Sequence, residues 1–403
     1  MKYWRGYLVA GIFAALTWLL MQLGSRLSQL VDMVYPFITR TVQAFLAQWS
    51  SGVDFCVWQV AVAVLAVILL ATVVLMVILR WNFIQWLGWV LSAVSIVFFL
   101  HTGIYGLNNY AGPISDDIRL EVTEYTLTEL EEATEYYRDQ ANALSAAVQR
   151  NANGDPVYPA FHELAVQAAD GFSVLTYERS YSVFAGCTLP VKELGWADMY
   201  TSMGITGVSM PLTGESAVNP LIPAVSLPFT MCHEMAHRMS IAPERDANFA
   251  AFLACSANSS VEFQYSAYFM AYSYCYNALA KVGGSEAAAA VNRIRAGEAE
   301  TLRWDLMSYS RFFSSKKNDT ATKFADTVND TYIKTSGDKQ GILSYGEVCD
   351  YLVSWHIQQV VAPAHTEEEN IFDPYDESQV DLSGLPYSPI ASPAETTQAG
   401  GEG

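Results

Sequence analysis

The chain has 403 residues, long enough for more than one domain, and its 22 basic and 41 acidic residues give a formal charge of −19. Residues 1–101 hold only five bases (Lys2, Arg5, Arg26, Arg40, Arg80) and two acids (Asp32, Asp54), so the remainder carries 17 bases against 39 acids. An apolar first quarter therefore precedes an acidic domain, and that acidity argues against nucleic acid or anionic headgroups as partners. It would suit a cationic peptide, although solubility alone explains it as well.

Tyr7 to Leu23 is an apolar run behind Lys2 and Arg5, with no clean cleavage site after it, and reads as an anchor rather than a signal peptide. Val53 to Leu79 and Phe83 to His101 are two further runs, each near the roughly 20 residues a bilayer requires. Trp81, Trp86 and Trp89 suit an interfacial belt. Residues 1–101 are thus read as a membrane anchor with three transmembrane helices, about 7–23, 53–79 and 83–101. Lys2, Arg5 and Arg80 favour a cytoplasmic N-terminus, which puts the large domain outside the cell; Arg26 and Arg40 in the first loop oppose this. Between the first two spans, Leu27 to Trp49 has helical periodicity interrupted by Pro36, which predicts short helices near the outer surface.

Beyond a turn-rich connector at 103–113, Leu127 to Leu144 reads as an amphipathic helix with Thr128 as N-cap and Glu131 in the capping-box position. Helices are also expected at Tyr158 to Ala169, Val261 to Ala280, Glu286 to Phe313 (capped by Ser285), Thr322 to Tyr332 and Tyr345 to Val360, with a polar turn at Lys334 to Gly341. Ile205 to Leu212 has strand character and is a candidate edge for peptide addition. Residues 366–403 contain acids, Pro, Gly and Ser but no Lys or Arg, the composition of a disordered tail. The six cysteines form no CxxC pair; disulfide pairing cannot be deduced, and most read as small buried apolar residues.

The segment that carries chemistry is Cys232-His233-Glu234-Met235-Ala236-His237. On a helix, His233 and His237 lie one turn apart on one face and can share a cation, with Glu234 beside them to take a proton from bound water. This is the HExxH arrangement of zinc peptidases. The helix should end near Ser240, and Pro243 opens a second helix carrying two candidates for the third zinc ligand, Glu244 and Asp246. Glu244 is favoured because Asn248 follows one turn later on its face, placed to hydrogen-bond a ligating histidine or the carboxylate itself. Tyr265 and His356 are outside candidates for transition-state donors, although both types of residue are more often core. Arg238 and polar flanks argue against a site inside the bilayer.

Several segments together resemble a bacterial family catalogued as domain of unknown function 3810. They are Gly204 to Gly207, Pro211 to Ser216, Leu227 to Thr230, the pentad His233 to His237, Asp246 to Phe249 and Gln264 to Ser266. Asp338 to Tyr345 is similar as well, and the likeness covers most of residues 1–360. That family is similar to glutamate-liganded HExxH zinc peptidases and carries N-terminal spans. The resemblance implies a zincin-like fold with His233 and His237 as zinc ligands and Glu234 as base; it brings no substrate. Two departures stand out: family members often have Glu where this chain has Asp246, which keeps the third ligand open, and glycine is common where it has Ser240.

The expected molecule is mostly α with a small β-sheet (α+β): three transmembrane helices, a zincin-like metallopeptidase domain at 102–365 and the tail. It is expected to be a multi-pass cell-membrane zinc endopeptidase acting on peptide or protein substrates outside the cell. The alternative is a non-catalytic, metal-containing envelope module that binds a peptide or partner protein.

Overall fold

The computed structural model describes residues 4–316, 318, 321–323, 326–327 and 348–363. The helix expected at Thr322 to Tyr332, the turn at Lys334 to Gly341, the Asp338 to Tyr345 motif and the acidic tail lie wholly or largely outside the described residues.

Three helices of 22 residues, α1 (Arg5–Arg26), α3 (Val57–Ile78) and α4 (Phe83–Ile104), are long and apolar enough to cross a membrane. At 1.5 Å per residue each is about 33 Å long, against a hydrocarbon core of about 30 Å. α1 packs along α4 because Gly6 and Gly88 let the backbones meet: a Cβ built on Gly6 would lie 2.4 Å from the Gly88 carbonyl carbon. Ser92 Oγ donates across the same contact to Gly6 O at 2.7 Å. α3, in contrast, has no buried residue from Val60 onward.

α2 (Ser28–Ser50) corrects the expectation of short helices: it runs unbroken through Pro36. An internal proline costs a helix about 3 kcal/mol or more, and side-chain contacts to the rest of the molecule hold this one together. Thr39 is bonded to Asn108 Oδ1 at 3.1 Å and Ser240 Oγ at 2.8 Å; Gln43 donates to Pro211 O, and Arg40 to Ser182 O. The opposite face exposes Leu30, Met33, Phe37, Phe45 and Trp49.

The core is helical. α9 (Leu227–Arg238) is central, with all twelve residues buried, and α7 (Phe161–Ser173), α10 (Glu244–Ala257) and α11 (Val261–Val282) pack on it. α6 (Leu127–Ala147) lies along α11, and α14 (Val348–His356) closes the cluster against α10 and α11. Two short helices, α5 (Ile114–Ile118) and α8 (Ala197–Met203), also precede α9. One three-stranded sheet has the order β1-β3-β2, with β1 (Lys192–Glu193) parallel to β3 (Glu215–Val218). β2 (Gly207–Met210) is antiparallel to β3, pairing Gly207 with Val218 and Met210 with Glu215, and lies at the edge.

Several boundaries move for local reasons. α6 starts at Leu127 as expected, but its N-cap is Thr126 rather than Thr128, because Thr126 and Glu129 form the capping box (Glu129 N to Thr126 Oγ1 3.2 Å); Glu131 instead takes the Arg293 guanidinium at 3.0 Å. α7 begins after Pro159, which holds Tyr158 out of the helix. The long helix expected from Glu286 to Phe313 is two, α12 (Gly284–Ala296) and α13 (Glu300–Lys316), with Gly283 rather than Ser285 at the N-cap. Asn142 of α6 enforces the break, donating to Gly297 O at 2.9 Å and accepting from Ala299 N at 2.7 Å. All six cysteines are buried and free.

α3 is tied to the sheet by one carboxylate. Glu215, at the start of β3, accepts from Val57 N at 2.8 Å and Trp58 N at 2.9 Å, the open donors at the N-terminus of α3. Lys192 of β1 neutralises it at 2.8 Å, with both side chains largely enclosed. Removing one member of such a pair strands a buried charge at a cost of about 3–5 kcal/mol. Glu215→Ala should therefore lower stability of the detergent-solubilised chain by that amount in denaturant unfolding. A loss below about 1 kcal/mol, the range of exposed pairs, would show that the carboxylate does not hold α3.

Candidate metal centre

α9 begins with Pro228 in its first turn, where its missing N–H has no partner to lose. It ends in a paired cap: Ile241 N donates to Ala236 O at 3.2 Å and Ser240 N to His237 O at 2.9 Å. This closure requires a left-handed residue, and Ser240 adopts φ 72°. Glycine would meet that demand without a Cβ penalty; Ser240 meets it with its hydroxyl held by Thr39 of α2. The chain then turns through Pro243 into α10, whose first residue is Glu244.

The tight turn brings three donors together. His233 Nε2 lies 3.2 Å and His237 Nε2 3.7 Å from Glu244 Oε2, and the two Nε2 atoms are 3.1 Å apart. One ligand atom from each residue falls within 4.8 Å of the others. The cap also orients a ring: His237 Nδ1 is 2.8 Å from Ile241 O. A carbonyl only accepts, so Nδ1 carries the proton in the neutral ring and the Nε2 lone pair faces the other two donors.

Electrostatics favour positive charge here. Burial opposes charge on His237, but the Glu244 carboxylate outweighs it and lifts the imidazole pKa to about 9. Burial would likewise raise Glu244, yet His237 and His233 hold it well below the usual carboxylate range. A divalent cation at the junction would stand in for that proton, so the donor set fits a metal of the zinc type. Glu234 is buried with Oε2 unpartnered, and burial pushes its pKa up. Its carboxylate rests on β2 at Gly207, where a Cβ would come within 2.4 Å of Oε1. Ser216 of β3 donates to the Glu234 carbonyl at 2.6 Å and fixes the helix against the sheet.

The other sequence candidates separate. Asp246 points away from the imidazoles; it is buried and accepts from Tyr351 Oη at 2.9 Å, Arg245 Nε at 3.1 Å and Ile114 N at 3.4 Å. Tyr265 faces the opposite side of α11, donating to Asp305 Oδ2 at 2.5 Å in a cluster with Arg150. His356 is packed against the Tyr136 and Tyr137 rings and does not line the site. Asn248 does line it, but its Oδ1 accepts from Tyr274 Oη at 3.2 Å rather than serving a histidine.

Two residues escaped the sequence reading. Tyr274 stands in the cavity beside Glu244 and Asn248. It falls outside the stripe of Tyr265, Tyr268, Tyr272 and Tyr276, and that departure was the available signal. Tyr105, just past α4, donates to His237 O at 3.0 Å and ties α9 to the end of an apolar helix. No sequence pattern marks it.

A cavity of about 1870 Å³ opens from the imidazoles, walled by Glu234, β2, Tyr274 and Tyr309 and extending along α3 and α4.

No curated protein and no solved structure matches this chain. A family model does, over residues 31–353, which runs from within α2 to within α14 and includes every residue of the candidate centre. The chain belongs to that family, described as Protein of unknown function (DUF3810).

Proposed function

We propose that this chain is a multi-pass membrane zinc metalloendopeptidase, zincin-like in its metal helix and carboxylate helix, whose catalytic domain faces outward. The observation that carries the reading is the convergence of His233, His237 and Glu244 beside a buried, unpartnered Glu234 at the wall of a large cavity. His233, His237 and Glu244 would hold zinc, which when bound would supply an acidic water near neutral pH and polarise a carbonyl.

Glu234 then acts as general base, taking the proton of the attacking water and delivering it to the leaving amine. Its raised pKa suits both halves of that task. Ile241 O holds His237 in its ligating tautomer. β2 pairs only with β3 among the described residues, so its outer edge is available to an extended peptide alongside Glu234. Tyr274 takes over the donor role first considered for Tyr265 and His356. A purely binding module would have no use for a buried carboxylate beside the metal, which disfavours the non-catalytic alternative.

The purified full chain should contain about one zinc per chain by elemental analysis. Glu244→Ala should remove it, and Asp246→Ala should retain it while lowering stability; zinc loss only in the second variant would exchange their roles. Glu234→Gln should keep zinc and lose peptide cleavage by at least about 100-fold, the lower range of general acid–base contributions. Cleavage that is indifferent to Glu234 would defeat the peptidase reading. Tyr274→Phe should lower kcat by about 10- to 100-fold with zinc content and KM little changed, below the loss usual for a direct oxyanion donor; an unchanged kcat removes Tyr274 from the chemistry. A tag fused at the C-terminus should be digestible on intact cells, and protection would reverse the orientation.

A further inference from the structure

The cavity extends well beyond the three candidate ligands. Its about 1870 Å³ exceeds the roughly 300–1,000 Å³ of ordinary small-molecule pockets. Past the imidazoles it continues as a slot between two helices, with Leu65, Ile68 and Leu69 of α3 on one side and Ala93, Val94 and Val97 of α4 on the other. α4 is backed by α1, and α3 stands apart, so the slot opens sideways along apolar walls. Trp86 Nε1 bonds Thr72 Oγ1 at 3.2 Å across its far part. At the near end, Glu215 fastens α3 and Tyr105 fastens α4 beneath His237.

Two further features suit a centre at a membrane surface. The outward face of α2 exposes Leu30, Met33, Phe37, Phe45 and Trp49, an apolar surface suited to the headgroup–acyl boundary. α9 itself, with Arg238 donating to the carbonyls of Cys187 and Leu189, sits in the polar domain beyond α4. With α3 and α4 spanning a bilayer, the slot would be reached through lipid, and the candidate metal centre lies at its mouth.

We propose that the substrate is a membrane-inserted polypeptide. Its apolar span lies in the slot between α3 and α4, and the extended chain emerging at the surface pairs with the free edge of β2, which carries the bond to be cut past Glu234. A lipid acyl chain would fill the slot, but it has no backbone to pair with β2; this favours a polypeptide as the occupant. The proposal rests on the peptidase reading and adds to it the class of substrate.

The test uses the full chain in phosphatidylethanolamine–phosphatidylglycerol vesicles. One probe is a peptide with a Leu/Ala span of about 20 residues and a polar tail; the other is the tail alone. The anchored probe should be cut with kcat/KM at least about tenfold higher. Anchoring alone concentrates a peptide, so Ala93→Trp, which overfills the slot, is the deciding comparison: it should bring the ratio of the two rates toward one, with zinc content reporting an intact centre. A ratio unmoved by Ala93→Trp, or near one in the parent chain, overturns the membrane-substrate inference and leaves the peptidase standing. A second measurement needs no turnover: in Glu234→Gln, a photo-crosslinking residue at position 69 should capture the span of the anchored probe. Capture of lipid alone overturns the inference whether or not the chain cuts any peptide.

Discussion

The whole centre depends on how α9 ends. Two imidazoles on one helix face are common; a carboxylate seven residues beyond the second reaches them only if the chain reverses within the Ser240 to Pro243 turn. The closure by Ile241 N and Ser240 N does this, and the same turn delivers the Ile241 carbonyl to His237 Nδ1. One backbone motif therefore sets both the position of Glu244 and the tautomer of His237. A left-handed residue without glycine costs about 1–2 kcal/mol, and the hydroxyl pair with Thr39 of α2 is the visible offset. This couples the centre to α2, a helix that the sequence reading had assigned to the membrane anchor.

Fastening of this kind recurs. Glu215 joins α3 to the sheet, Ser216 joins the sheet to α9, and Tyr105 joins α4 to α9. Each is a polar side chain satisfying a backbone group at the end or flank of a helix, where open donors and acceptors are concentrated. The membrane-length helices α3 and α4 and the candidate-site helix α9 are consequently held in one framework around the cavity. Bonds from α2 and α3 cross residue 101, the expected border between the apolar first quarter and the acidic domain.

What could be read from the sequence followed from local physics. The four-residue spacing of His233 and His237, the proline openings of α9 and α10, and the apolar length of α1, α3 and α4 are short-range signals, and the structure matches them. The separation of Glu244 from Asp246 was also local, since two residues on a helix point about 200° apart. Failures came where distant residues decide. Asn142 breaks the run at Gly297, contacts of Thr39, Arg40 and Gln43 carry α2 through Pro36, and the turn of α11 puts Tyr274 in the cavity and Tyr265 against Asp305. Capping was half legible: Thr128 and Glu131 satisfy the pattern as well as Thr126 and Glu129 do, and sequence alone does not rank them.

The same distinction explains why the slot was invisible. Arg238 and the polar flanks of α9 do argue against a metal centre in lipid, and the structure places that arginine among domain carbonyls. Yet exclusion from the hydrocarbon is a statement about the helix, and access is a statement about the cavity. Tyr105 sits one residue past α4 and touches the backbone of His237, so the polar centre begins where the apolar helix ends. A water-requiring site at that boundary is compatible with a polypeptide arriving through lipid. The sequence rule that argues against a site inside the bilayer leaves the candidate centre where α4 ends, beside the slot.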